Sequence, residues 1–195
     1  MRVNEIFYSL QGEGAHAGEA AIFVRLSGCN LSCSFCDTKH QEHKDLTEDE
    51  ITLEIAKYPA SWVVITGGEP TLQLTKSLVD KIHDLHKFVA IETNGIRPIP
   101  EGVDWVTCSP KSTYVGDIGK PILKYADEVK VVFDDEHEID DLTFGINAIH
   151  YYAQPCDTGD IERNQRIVAK CVEFVKQHPA RWSLSLQQQK ILNIR

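Results

Sequence analysis

Six short runs in this chain are almost unbroken in β-branched and aromatic side chains: 21–26 (AIFVRL), 62–66 (WVVIT), 88–93 (FVAIET), 105–108 (WVTC), 128–133 (EVKVVF) and 146–152 (INAIHYY). Near-continuous runs of this kind suit strands of a parallel sheet that helices cover, more than strands with one wet face. Helical patterns fall between them. Thr47 and Glu50 have capping-box spacing, Ile51, Ile55 and Tyr58 follow at about one turn, and Pro59 ends the pattern. A second helix is expected from about Leu72 to His86, with Leu78, Val79, Ile82 and Leu85 on one face. A third is expected from Thr158 to His178, with Ile161, Val168, Cys171, Val172 and Val175 as its stripe and Pro179 after it.

Strand, helix, strand, helix, strand is the rhythm of an α/β fold. The later crossovers are thin, since about ten residues separate the third and fourth runs, where a parallel crossover usually takes a dozen or more. A complete eight-unit barrel needs about 250 residues, and this chain has 195. The expectation is therefore an incomplete TIM-like barrel of about six parallel strands with few crossover helices, in one domain spanning 1–195. Chemistry then gathers in the loops at the C-terminal ends of the strands.

The chain carries 20 Lys and Arg against 29 Asp and Glu, a net charge of -9. That balance lacks the basic footprint of a duplex nucleic-acid binder. No run approaches the roughly 18 to 20 apolar residues of a membrane span, and the start, MRVNEIFYSLQGEGAH, lacks the order of a secretion signal. A cytoplasmic location is expected, where thiols stay reduced and clustered cysteines suggest metal or catalysis before disulfides.

Three of the six cysteines fall within eight residues, as Cys29-x3-Cys33-x2-Cys36, directly after the first run. Thiolates at this spacing can reach three corners of a [4Fe-4S] cluster, which leaves one iron open to a small chelating molecule. The competing reading is a Cys3His zinc site completed by His40, although structural zinc sites usually draw paired ligands from two separated arms. Cys171 is expected in the core, while Cys108 and Cys156 near strand ends fit either role.

The cysteine loop, together with Gly67-Gly68-Glu69-Pro70 after the second run, resembles the radical S-adenosylmethionine superfamily. Within that superfamily the chain resembles the 7-carboxy-7-deazaguanine synthase family. The residues that carry the likeness are 5–14 (EIFYSLQGEG), 23–26 (FVRL), Cys36-Asp37-Thr38, 92–95 (ETNG), 109–111 (SPK), Gln154-Pro155 and the tail 182–187 (WSLSLQ).

The resemblance implies a carbon-nitrogen lyase that contracts 6-carboxy-5,6,7,8-tetrahydropterin to 7-carboxy-7-deazaguanine with loss of ammonia, on the way to queuosine. It implies a [4Fe-4S] cluster on Cys29, Cys33 and Cys36, with S-adenosylmethionine held by Phe35, Cys36, Asp37, Gly68, Glu69, Ser109, Pro110 and Lys111. Glu69 belongs to the edge that takes the methionine amine in this reading. Leu10, Gln11, Gly12, Glu13, Arg25 and Thr66 are expected to line the pterin pocket, and Thr38 to ligate Mg2+ beside the substrate carboxylate. A reducing protein such as flavodoxin or ferredoxin, and a homodimer, are the implied partners.

Arg25 stands inside an apolar run, where a charge must be paired or face a polar site, and an anionic substrate would pair it. The tail departs from the family, whose pattern puts a histidine where this chain has Gln189, an amide that does not titrate near neutral pH. Two other readings are weighed. A glycyl-radical activating enzyme would share the cluster but needs a protein-sized groove. A non-catalytic iron-sulfur or zinc module would leave Gly67-Gly68-Glu69-Pro70 unexplained.

Overall fold

The computed structural model describes residues 1–36, 42–137 and 145–195. Asp37, Thr38 and His40 lie outside the described residues. The described residues build one nine-stranded sheet in the order β3-β1-β2-β4-β5-β6-β7-β8-β9. The strands are β1 (Arg2–Leu10), β2 (Ala20–Leu26), β3 (Lys44–Asp45), β4 (Trp62–Gly67), β5 (Phe88–Thr93), β6 (Trp105–Cys108), β7 (Tyr125–Phe133), β8 (Asn147–Pro155) and β9 (Trp182–Leu184). From β2 through β9 every neighbouring pair is parallel, while β1 runs antiparallel to both β2 and β3.

All six expected runs are strands of this open, mostly parallel sheet. The thin crossover between β5 and β6 is real, and the chain joins them through residues 94–104 without a helix. β1 escapes a search for continuous apolar runs because only Val3 and Phe7 of its nine residues are buried. The short β3 and β9 lack room for any periodic signal.

Period-two alternation sorts the sheet into two faces. Ile22, Val24 and Leu26 of β2, Val63 and Ile65 of β4, and Val89 and Ile91 of β5 form the outer core with α1 (Glu48–Ile55) and α2 (Lys76–Asp84). Ile51 and Ile55 come from α1, and Leu78, Val79 and Ile82 from α2. A second cluster packs Val129, Val131 and Phe133 of β7 against Ile167 and Cys171 of α4 (Ile161–Gln177), with Trp182. The opposite, concave face carries Phe7, Ala21, Phe23, Val64 and Ala90. Further toward the strand ends that same face turns polar. Glu5 pairs with Arg25, Arg25 with Thr66, Glu92 with Thr107, and Thr107 with Glu128 in strand register.

Helix ends follow local chemistry. Thr47 and Glu50 form the expected capping box on α1. α2 begins at Lys76, because Thr75 caps it by accepting from the Leu78 N–H and the preceding Pro70–Leu72 segment forms a separate 3-10 turn. In α4 the Asp160 carboxylate accepts from the Arg163 N–H and sets the start three residues later than expected. The buried stripe is then Ile167 and Cys171 with Phe174 and Val175 beside them, while Ile161 and Val168 point outward. This corrects the expected stripe. Two short helices, α3 (Ser112–Val115) and α5 (Gln188–Ile191), and a 3-10 turn at Gly116–Gly119 complete the described elements.

Removing Ile82 from the outer core leaves a void that rigid neighbours on β4 and β5 cannot fill. Ile82→Ala is expected to cost about 2–5 kcal/mol, whereas Ile161→Ala, at a side chain 75% exposed, should stay within about 0.5 kcal/mol. Urea unfolding of both variants checks the contrast.

Candidate active site

A cavity of about 750 Å3 opens on the concave face, at the C-terminal ends of the parallel strands. It is large enough for two small molecules side by side, since single ligand pockets run from about 300 Å3 upward. One wall is the loop after β2. Cys29, Cys33 and Cys36 are free thiols and all three line it. The Leu31 N–H donates to the Cys29 Sγ at 3.4 Å, and the Cys36 N–H to the Cys33 carbonyl at 3.2 Å, so the loop is turned tightly around its sulfurs. Burial pushes the Cys29 and Cys33 thiols up, and the neighbouring Cys36 raises both further. Among the described residues no three His, Cys, Asp or Glu side chains are already gathered closely enough to hold a metal ion. The three soft donors on one wall nevertheless fit an iron-sulfur cluster, whose binding would displace the thiol protons.

The loop after β4 is stitched to this wall by backbone. The Gly68 N–H donates to the Leu26 carbonyl at 3.0 Å, and the Glu69 N–H to the Gly28 carbonyl at 2.9 Å. Both glycines are required. A Cβ on Gly67, at φ +127°, would stand 2.0 Å from the Leu26 carbonyl oxygen, and one on Gly68 would stand 2.0 Å from that of Gly28. Glu69 is 1% exposed and accepts four hydrogen bonds, from the Thr71 N–H (3.0 Å), the Thr71 hydroxyl (2.5 Å), the Thr93 hydroxyl (2.8 Å) and the Asn94 N–H (2.8 Å). Asn94 then donates to the Asn30 side chain at 2.8 Å. The loops after β2, β4 and β5 are thereby one hydrogen-bonded unit.

Lys111 and Ser109, after β6, close this side, with the Lys111 ammonium 2.6 Å from the Ser109 hydroxyl and 5.5 Å from the centre of the Phe35 ring. Burial lowers the Lys111 pKa. Pro110 is buried between them and does not line the cavity.

The opposite wall comes from the β1–β2 connection, β7 and the C-terminal tail. Glu13 is its hub. Oε1 accepts from Gln187 (3.1 Å) and Gln189 (2.9 Å), and Oε2 from Lys130 (2.5 Å) and Gln154 (3.1 Å). Burial alone would raise the Glu13 carboxyl, but the Lys130 charge and these hydrogen bonds outweigh it and hold its pKa at about 2. Lys130, with a side chain 6% exposed, also reaches Glu92 at 3.1 Å, and Gln11 donates to the other oxygen of Glu92 at 3.0 Å. Burial works against the Lys130 charge, yet the carboxylates around it raise its pKa well above the ordinary lysine value.

The glycines of 11–14 have the same kind of reason as those of the other wall. A Cβ on Gly12 would lie 1.8 Å from the Gln189 side chain, and one on Gly14, at φ +67°, would lie 2.1 Å from the Glu128 carboxylate.

Leu10, Gln11, Gly12, Glu13, Arg25, Thr66, Phe35, Cys36, Gly68, Glu69, Ser109 and Lys111 therefore line one cavity, as the sequence expectations require of both pockets. Asp37 and Thr38 cannot be located within the described residues. Contrary to the expectation from sequence, Arg25 needs no anionic substrate to pair it, because Glu5, its register partner on β1, accepts from the Arg25 Nε at 2.9 Å.

Lys130 was not singled out from sequence, nor was Gln187 as a partner of Glu13. The available signal was E-V-K-V-V-F itself, where Glu128 and Lys130 alternate with the outward Val129 and Val131. Gln189 does donate to Glu13, so the departure of the tail from the family pattern keeps a contact to this wall.

The radical SAM superfamily pattern matches residues 23–127, more than half of the chain, and the chain belongs to this superfamily of enzymes, which implies a [4Fe-4S] cluster and S-adenosylmethionine as cofactors. It is 48% identical to 7-carboxy-7-deazaguanine synthase of Bacteroides thetaiotaomicron, over 100% of this chain and 98% of the relative. It is 34% identical to the enzyme of the same name from Haemophilus influenzae, over 97% and 92%. The crystal structure of QueE from Escherichia coli superimposes with a TM-score of 0.72 at 27% identity, covering 95% of this chain and 93% of that one. The chain is a member of the 7-carboxy-7-deazaguanine synthase family.

The depressed Glu13 pKa has a defined pH signature. Its stabilising contribution is fully present above the ordinary carboxylate pKa of 4.5 and is lost as pH falls toward about 2. Glu13→Gln should flatten the stability profile across that window, which denaturant unfolding at a series of acid pH values measures.

Proposed function

We propose that this protein converts 6-carboxy-5,6,7,8-tetrahydropterin to 7-carboxy-7-deazaguanine with release of ammonia, as a carbon-nitrogen lyase on the queuosine route. The observation that carries this is the juxtaposition of two walls in one cavity: three free thiols on one side, a ring of fixed carboxylate, amide and guanidinium groups on the other. Membership of the family supplies the particular substrate.

Cys29, Cys33 and Cys36 would hold the cluster. When bound, the cluster and S-adenosylmethionine supply the one-electron chemistry that starts the ring contraction. The protein's own part is binding and exclusion. Gly67 and Gly68 let the β4 loop close onto the backbone of Leu26 and Gly28, which brings its edge beside the thiols, and Phe35, Ser109 and Lys111 wall the same side.

Arg25 has guanidinium donors beyond the Nε that Glu5 uses, in a planar fork that matches a carboxylate. Gln11 and Thr66 meet the polar edge of the pterin, and Glu13 lines the same wall as the anchor of its amides. Thr38 would hold Mg2+, a hard ion that prefers oxygen ligands, whose charge would favour the substrate carboxylate. A flavodoxin or ferredoxin as reductant, a homodimer, a cytoplasmic location and a single catalytic domain complete the reading.

A cavity with a defined small-molecule volume favours this reading over a glycyl-radical activating enzyme. The backbone stitching of Gly68 and Glu69 to the cysteine loop favours it over a simple metal module.

Anaerobic reconstitution with iron, sulfide, reductant, S-adenosylmethionine, Mg2+ and the tetrahydropterin should yield the deazapurine by absorbance and mass. Cofactor cleavage without deazapurine would redirect the search to another substrate. Cys33→Ala should abolish turnover, by more than about a thousandfold in rate, with unchanged circular dichroism; full activity would defeat the cluster assignment. Thr38→Ala should weaken the stimulation by Mg2+, and an unaltered metal titration would remove Thr38 from the site.

A further inference from the structure

Lys130 is the one buried cation on the far wall of the cavity among the described residues, and no part of the proposed reaction uses it directly. Its ammonium touches a carboxylate from the β1–β2 connection and another from β5. Those two carboxylates are held differently. Each Glu13 oxygen accepts two hydrogen bonds, whereas each Glu92 oxygen accepts one, and the Glu92 side chain is 25% exposed to the cavity. A carboxylate has about four lone-pair sites, so Glu13 is saturated by the protein and Glu92 retains capacity for a ligand.

A buried ion pair is not a preferred source of stability, since apolar residues of equal volume often do as well. An ammonium at this place therefore calls for another reason.

We infer that Lys130 is a positioning residue, which fixes Glu92 at a set spacing from the saturated Glu13 and keeps it ionised as an acceptor for the N–H donor edge of a flat heterocycle. The donor-edge part rests on the pterin reading above; the spacing and charge of the pair do not. Two carboxylates against one ammonium leave a net negative charge on this wall, which suits a ligand that donates. Without the ammonium, two buried acids this close cannot both stay ionised, and one takes up a proton. The other charged or titratable groups near the trio are Glu128 on the same strand, Lys111 after β6, and His150 on β8, which acts on Glu128.

The test has two arms. In protein labelled with 13C at glutamate carboxyls, Lys130→Met should add one carboxyl titrating between about pH 5 and 8, and Lys130→Arg should not. That signal should vanish in the double variant with Glu13→Gln or Glu92→Gln. An unchanged carboxyl count in Lys130→Met overturns the inference.

The second arm titrates 6-carboxypterin, a stable oxidised pterin, into the metal-free protein by fluorescence. Lys130→Met should weaken binding at least about tenfold, and increasingly so as pH falls through the new titration, while Lys130→Arg stays within about threefold. A Lys130→Met loss that is the same at every pH marks a merely structural lysine and overturns the inference. An added carboxyl without any pterin binding by the unaltered protein upholds the role of Lys130 and defeats the pterin reading.

Discussion

The Lys130 ammonium between Glu13 and Glu92 joins parts of the sheet that strand pairing alone leaves far apart. β1 stands second in the strand order and β7 seventh, yet the residue three places after β1 lies within 2.5 Å of a β7 side chain. That contact requires the sheet to curl, and the curl makes a cavity where a flat sheet would offer a surface. The tail reinforces it, since the Gln188 N–H donates to the Gly12 carbonyl at 3.0 Å and the amides of Gln187 and Gln189 turn onto Glu13. An ion pair of this kind adds little net stability relative to an apolar contact, but breaking it by removing one partner costs about 3–5 kcal/mol. Its value is geometric, because it is satisfied in only one arrangement of the two edges.

The other wall reaches rigidity by different means. The loops after β2, β4 and β5 contain few apolar side chains, so packing cannot hold them. Backbone hydrogen bonds through glycines that tolerate no Cβ do that, together with a carboxylate that spends its acceptors on its own protein. Loops fixed in this way hold the backbone beside Cys29 against the β4 and β5 loops, which lowers the ordering cost that ligand binding must meet.

Much of this was legible in the sequence because it rests on local chemistry. The six continuous runs became strands, since β-branched side chains in a doubly covered sheet carry a strong signal, and the Thr47 cap is a contact between residues three apart. β1 was invisible to the same search because its partner faces leave most of its residues half exposed. The start of α2 was placed too early because Leu72 belongs to the separate turn that Pro70 opens, and Thr75 caps the helix after it.

For the site, motif residues were found and their partners were not. Glu13 was expected on the pterin side, but Lys130, 117 positions away, has no spacing relation to it. Arg25 was assigned to a ligand when its first partner is Glu5 across a strand pair. Register is a tertiary fact, and a lone charge in an apolar run signals that a partner exists without saying whether the protein or the ligand supplies it.

Glu69 shows what that distinction does to a motif. Read from sequence, its carboxylate belongs to the edge that takes a ligand's amine. In the fold it is buried with four protein donors, and these come from its own loop and from the end of β5. A group so occupied serves a ligand mainly through what it holds in place: the Gly67-Gly68 edge on one side and the Asn94 turn on the other. Glu92, one residue before Thr93 on the same strand, faces the opposite side of the sheet by the pleat of the chain, where it meets Lys130 and the open cavity. Adjacent residues of β5 thus divide the two tasks, Thr93 tying the loops that frame the thiols and Glu92 completing the polar wall across from them. A one-residue slip of β5 would exchange these faces and disable both walls together, which is why the continuous core of Val89 and Ile91 on the outer face matters to the site as much as to stability.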